Sequence, residues 1–164
     1  MKTREQISYE ENINSFVKTL NGQVLKRLTF FLDLEPTFDI SKIPFSFNYA
    51  RQLIIHSDKA NYYLQTTQTS SAIETFWVSA DSFDKNEQPD LTLEINEVIQ
   101  NIKTEKGLDD YCYKIILTTQ KNTWTFMSAD FYDTNDGTVD FKINDEMIIA
   151  TVDSKNLELY ERNR

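Results

Sequence analysis

The sequence has very few of the residues from which enzyme sites are usually built. Its 164 residues include one histidine (His56), one cysteine (Cys112) and three widely separated glycines. A multi-histidine metal site, a cysteine-rich zinc site and a disulfide within the chain are therefore excluded. A glycine-rich phosphate loop is excluded as well, because it needs several glycines close together. We predict no catalytic residue, no cofactor and no metal ligand.

Long apolar runs are also missing. No segment approaches the ~20 apolar residues that a membrane helix needs. The first twelve residues are mostly polar or charged, and the apolar stretch of a secretion signal does not follow them. A single cysteine is typical of a reducing compartment. We therefore expect a cytoplasmic protein that does not contact a membrane.

Acidic charge is abundant and unevenly distributed. The net charge is −9; residues 1–82 carry nine acids and eight bases, whereas residues 83–164 carry 17 acids and nine bases. A negative field repels phosphate backbones, which disfavours direct binding of nucleic acid. The same field attracts basic proteins and speeds association with them. Alternatively, the charge serves only solubility.

The N-terminal segment has the pattern of a helix. Ile13, Phe16, Val17 and Leu20 recur at the spacing of one helical face within residues 4–20, and Gly22 follows where a helix end is expected. Beyond it, apolar residues mostly alternate with polar ones. The length is typical of one domain. We predict a single domain, 1–164, with a helix at 4–20 and a β-rich body at 23–153.

About nine strands are expected in that body, joined by short connections. Residues 91–103 fit both a strand and a helix, and we favour a strand. Residues 80–90 are the most polar and indicate a long connection, while 154–164 suggest a short helical turn. The predicted fold is mainly β, an antiparallel sandwich or barrel with one N-terminal helix. The strand segments are 24–33, 45–55, from 62 onward, 75–79, 91–103, 112–119, 124–131, 139–143 and 147–152.

Turn chemistry separates the last four strands. Lys121-Asn122 and Asp136-Gly137 each predict a hairpin, the second strongly, because Asp-Gly suits a tight turn. Asn144 to Glu146 predict a third turn between strands 139–143 and 147–152.

Three local motifs suggest chemistry, but their spacing argues against it. Counted from Asp133 as a calcium loop, Thr138 stands where glycine is needed and Asn144 where a bidentate glutamate is needed. His56 and the adjacent serine point to opposite faces of an extended chain, so the histidine cannot activate that hydroxyl. Asp140 and Lys142, with Asp130 upstream, are only weakly nuclease-like, and an ion pair on the solvent side is favoured.

The leading functional hypothesis is a non-enzymatic acidic binding or inhibitor protein that occludes a basic partner. Immunity proteins, antitoxins and inhibitors of defence enzymes need no chemistry of their own. The partner is a basic protein, for which a nucleic-acid-handling enzyme is one candidate. The predicted partner-binding acids are Asp130, Asp133, Asp136, Asp140, Asp145 and Glu146.

An alternative hypothesis uses the aromatic residues. Eleven Phe, eight Tyr and two Trp are more than one core face requires. They either fill a core, line the cavity of a barrel that binds a small apolar or aromatic ligand, or form a partner-binding patch. The predicted ligand residues are Phe45, Phe47, Tyr49, Tyr62, Phe76 and Trp77. A metal-dependent nuclease or hydrolase ranks last.

Overall fold

A computed structural model describes residues 1–80, 88–154 and Leu157. One α-helix, α1 (Arg4–Leu20), precedes eight strands in this part of the chain, and all paired strands are antiparallel. The predicted antiparallel β fold with one N-terminal helix is thus confirmed. The strands are β1 (Val24–Leu32), β2 (Asn48–Ser57), β3 (Asn61–Gln68), β4 (Glu74–Ser79), β5 (Leu91–Lys106), β6 (Cys112–Thr119), β7 (Thr123–Asp133) and β8 (Val139–Val152).

The sheet closes on itself. Its strand order is β1-β5-β6-β7-β8-β2-β3-β4, and β1 also pairs with β2. Six strands therefore form a ring, from which β3 and β4 branch. The branch arises because one edge of β2 is shared: Asn48 to Ala50 pair with β8, and Gln52 to His56 pair with β3.

Helix α1 begins and ends where the sequence predicts. A capping box joins Thr3 and Gln6 at its start, and Ile13, Phe16 and Leu20 are buried. The Asn12 amide donates to the Val78 carbonyl and accepts from the Val78 N–H, both at 2.8 Å. The Asn12 side chain therefore pairs with both backbone groups of Val78, on the edge of β4 that faces away from β3. In the described part of the chain, no helix is long and apolar enough to cross a membrane.

The turn predicted at Asn144 to Glu146 is wrong. Strand β8 is continuous from Val139 to Val152, which accounts for one of the nine expected strands. Ser128 pairs with Ile148 while its neighbour Ala129 pairs with Ile143, so four residues of β8 bulge out. The Asn144 backbone has φ +54°, and its side chain accepts from the Leu108 N–H and donates to the Glu74 carbonyl, both at 2.9 Å. These bonds hold the bulge within the sheet.

The remaining segments differ less from the sequence-based predictions. The strand predicted from Phe45 begins only at Asn48, because Phe45 and Phe47 belong to a loop that packs on another part of the sheet. The ambiguous residues 91–103 form β5, as favoured. The connection predicted at 80–90 falls mostly on residues 81–87, which lie outside the described part, and so does most of the turn predicted at 154–164.

Two apolar clusters hold the fold together. The first, here the central core, draws residues from α1 and from all eight strands, including Leu20, Phe30, Phe76 and Phe126. The second, here the outer cluster, joins the β1–β2 loop to β7, β8 and parts of β2 and β6. The outer cluster fixes an irregular loop against one hairpin, and that contact positions the candidate site.

Candidate functional site

The β1–β2 loop and the outer part of the β7–β8 hairpin form one end of the molecule. The Asp39 N–H donates to Asp133 Oδ1 at 3.1 Å, and Lys42 donates to the Gly137 carbonyl. The Phe38 and Phe131 ring centroids lie 5.0 Å apart beneath these bonds. We call this region, residues 33–47 and 130–146, the acidic end.

Most of the net charge of the chain lies in the acidic end. Its two segments contain nine acids and two lysines, a net charge of −7 out of −9 for the whole chain. Six of the acids are those predicted from the sequence. Asp33, Glu35 and Asp39 were missed, because they lie in the nearly neutral half of the chain. They belong to the loop that the fold joins to the hairpin through Asp39. The phenylalanines of the loop indicate from sequence alone that the loop packs against the body of the protein. They do not indicate which strands it contacts.

Asp130 is a half-buried member of the predicted acids. It accepts from the Tyr49 hydroxyl at 2.5 Å and from the Phe131 N–H at 2.8 Å. Burial nevertheless raises the pKa of its carboxyl, and the nearby Asp145 and Glu146 charges add to the rise. Burial, followed by the charge and hydrogen bond of Asp130, also raises the pKa of Tyr49. The structure therefore keeps a carboxylate where its environment disfavours the charge.

The next three predicted acids support the hairpin. Asp136 accepts from the Thr134 and Thr138 hydroxyls, which lowers the pKa of its carboxyl to about 2. Asp140 accepts from the Tyr132 hydroxyl at 2.8 Å. Asp133 holds the loop through Asp39. Each carboxylate orders local structure and still contributes negative charge to the surface.

The last two predicted acids lie on the bulge of β8. Asp145 Oδ2 is 3.8 Å from Lys142 Nζ, and the Glu146 carbonyl accepts from the Thr66 hydroxyl at 2.6 Å. Burial raises the pKa of the neighbouring Glu74, and the Glu146 and Asp145 charges add to that rise. Within the described residues, no group of three or more His, Cys, Asp or Glu side chains could hold a metal ion. The acids form an extended charged surface instead.

Exposed apolar side chains accompany the acids. Leu34 is 71% exposed, Ile40 55% and Tyr132 45%. Ile40 directly follows Asp39 and Tyr132 directly precedes Asp133, the two residues that link loop and hairpin. Large apolar or aromatic side chains bordered by polar residues are typical of protein-binding surfaces.

The six predicted ligand-binding aromatics do not form one group. Tyr49 belongs to the outer cluster, with Phe45 and Phe47 packed against that cluster. Phe76 is fully buried in the central core, and Tyr62 packs against the core with its ring 5.3 Å from Phe16. Trp77 lies beside α1. The structure thus distributes these residues over three places.

His56 has partners that sequence spacing did not reveal. Its Nε2 is 3.0 Å from the Thr29 hydroxyl, and its Nδ1 is 3.1 Å from the Asn61 amide oxygen. Burial lowers the pKa of this histidine. Thr29 is itself buried on β1. The thiol of Cys112 is also poorly suited to chemistry, because burial raises its pKa to about 12.

Comparison with known proteins identifies no relative: no family model matches the chain, and no curated protein or solved structure matches it significantly.

Proposed function

We propose that the protein binds a basic protein partner through its acidic end. The observation that carries the proposal is the convergence of two separate segments into one surface with a net charge of −7 around exposed apolar side chains. Negative charge steers a basic partner and speeds its association, whereas desolvated apolar contacts supply affinity. The surface combines both contributions.

The half-buried Asp130 supports the same function. A carboxylate that is partly removed from water on folding costs stability, and such costs are typical of positions kept for function. An aliphatic residue in its place would avoid that cost. The carboxylate is consistent with a surface whose negative charge matters.

The proposed mode of action is occlusion, as in immunity, antitoxin or anti-defence proteins. Enzymes that handle nucleic acids carry basic grooves for phosphate. A surface with nine carboxylates can occupy such a groove without any chemistry. We therefore propose that the partner is a nucleic-acid-handling enzyme. The alternative of a barrel that binds a small apolar ligand lacks comparable support, because its six aromatic residues lie in different places.

The test uses two variants of equal charge. In the first, Asp133→Asn, Asp140→Asn and Glu146→Gln neutralise the acidic end and keep an acceptor oxygen at each position. In the matched control, Glu11→Gln, Asp109→Asn and Glu94→Gln neutralise three acids elsewhere. Immobilised wild-type protein captures partners from a native lysate at low salt. The association rate of each captured protein with the wild type and both variants is then measured.

We expect a stoichiometric basic protein whose association rate falls about tenfold or more with the first variant and much less with the control. Raising the salt concentration should reduce the wild-type rate towards that of the first variant. Equal rates for both variants, or a captured protein that is itself acidic, would contradict the proposal.

A further inference from the structure

A second surface feature is a groove between α1 and the outward side of β3 and β4. Gln65 and Thr67 of β3 and Trp77 of β4 form its floor, and Gln65 pairs directly with Trp77. Glu5, Ser8 and Tyr9 of α1 form one wall. The groove has a volume of about 360 Å³, within the range of ~300–1,000 Å³ usual for small-molecule sites. None of these residues belongs to the acidic end.

The floor of the groove contains a fixed aromatic surface. Trp77 is partly exposed, and the Tyr9 ring meets it edge-on, with centroids 5.6 Å apart and an interplanar angle of 86°. Tyr9 is held in turn by the Tyr111 ring at 5.8 Å and 82°. Perpendicular packing of this kind restricts ring motion. The groove is therefore lined by a partly exposed Trp77 ring that packs against Tyr9.

Several uncharged hydrogen-bonding groups surround that surface. In the described part of the chain, the Ser8 and Thr67 hydroxyls and the Gln65 amide have no side-chain hydrogen-bond partner. Together they provide donors and acceptors on two sides of Trp77. The fourth polar group is the Glu5 carboxylate, oriented by the Ser70 hydroxyl and by the Ser70 N–H at 2.7 Å. These bonds lower the pKa of Glu5, so it stays ionised near neutral pH.

We propose that this groove binds a saccharide. A pyranose ring has an apolar face of C–H groups, which stacks on an aromatic ring, and a rim of hydroxyls that both donate and accept. The groove matches both parts: Trp77 faces the ring, while Ser8, Gln65, Thr67 and Glu5 meet the hydroxyls. This binding activity is separate from the acidic end.

Other ligand classes match the lining less well. An apolar metabolite requires burial of most of its surface, which an open groove does not give. An anion is repelled by Glu5. A cation finds only one carboxylate, because the other three polar groups of the groove are uncharged. Three of the four polar groups are neutral, which favours a neutral polyhydroxylated ligand.

Ligand-observed saturation-transfer NMR on the full chain tests the proposal. The probes are methyl glycosides of glucose, galactose, mannose and N-acetylglucosamine, together with cellobiose, lactose and maltose. Each is used at about 20 mM, a concentration that detects even millimolar affinity. Choline and indole serve as probes of the cationic and apolar alternatives. We expect saturation transfer to the ring C–H protons of at least one saccharide, and weaker or no transfer to choline and indole.

Variants locate the binding. Trp77→Ala should weaken it by about tenfold or more, and Trp77→Phe should retain most of it. Gln65→Ala should weaken it by roughly fivefold, whereas Gln68→Ala, the same change on the other face of β3, should have no effect. Because Trp77→Ala also removes a contact of α1, unchanged helicity by circular dichroism is required before its result is counted. If Trp77→Ala does perturb α1, the Gln65→Ala variant still tests the proposal, because Gln65 lies on β3.

Three results would overturn the proposal. The first is no transfer to any of the seven saccharides, and the second is stronger transfer to choline or indole. The third is saccharide binding that Gln65→Ala and Gln68→Ala leave equally unchanged. The proposal about the acidic end would survive all three, because its variants alter different residues.

Discussion

The central core and the outer cluster are built differently. Every buried residue of the central core lies in α1 or a strand, at positions set by helical or alternating periodicity. The outer cluster includes Phe38 and Ile43 from an irregular loop, and the acids of the acidic end surround it. The first cluster can stabilise the whole sheet, whereas the second orders one surface. Mutations in the central core should therefore lower the stability of the whole sheet, whereas mutations in the outer cluster should disturb mainly the acidic end.

The largest effect is expected in the central core. Phe126 is completely buried on β7, in the middle of the ring. Phe126→Ala should lower the free energy of unfolding by about 3–5 kcal/mol, because it removes packing that the rigid sheet cannot restore. Urea unfolding followed by far-UV circular dichroism measures this loss. A decrease below about 1 kcal/mol would mean that the core is not the main source of stability.

A smaller and more local effect is expected in the outer cluster. The Phe38 ring lies 5.0 Å from Phe131 and 5.2 Å from Tyr49. Phe38→Ala should cost about 2 kcal/mol, at or below the lower end for a buried phenylalanine, since a loop can relax. Amide hydrogen exchange should accelerate at Asp39 and Lys42, while the amides of the six-stranded ring stay protected.

Ile40→Ala is the matched change on the same loop. Its side chain is 55% exposed, so the free energy of unfolding should change by less than about 0.5 kcal/mol. Partner binding should weaken with both loop variants. If Phe38→Ala accelerates exchange throughout the sheet, the two clusters form one cooperative unit and the distinction between them fails.

The same distinction explains which parts of the structure could be predicted from sequence. Helix α1 and most strands follow from local periodicity, which regular elements of the central core obey. The bulge at Asn144 could not be predicted, because it depends on bonds to Leu108 and Glu74, distant in sequence. Asp33, Glu35 and Asp39 were missed for the same reason. Their contribution to the acidic end arises from a long-range contact between loop and hairpin.

Asp130 links the outer cluster to the acidic end. Its neighbours Ala129 and Phe131 pack in the outer cluster, while its carboxylate is partly removed from water. A carboxyl whose pKa is raised on folding binds its proton more tightly in the folded state. Its favourable contribution is complete below the unfolded pKa of ~3.9 and is lost as the pH rises through the raised folded value. At neutral pH, this acid is a cost to stability.

Asp130→Asn should therefore stabilise the protein at pH 7. The gain should be less than about 1 kcal/mol, because the side chain is partly exposed and solvent screens its charge. The gain should shrink as the pH falls and vanish below the unfolded pKa of ~3.9, where the carboxyl is protonated in both the folded and the unfolded state. Urea unfolding at several pH values measures both trends.

Asp136→Asn is the control with the opposite sign. Hydrogen bonds lower the Asp136 pKa to about 2, so its carboxylate stabilises the fold at neutral pH, and that contribution is lost as the pH falls towards 2. The variant should therefore be less stable than wild type at pH 7. A destabilised Asp130→Asn variant would show that the Tyr49 bond outweighs the desolvation of the carboxylate. The acidic end would then contain no charge held at the expense of stability, and the case for binding would rest on the shape and charge of its surface alone.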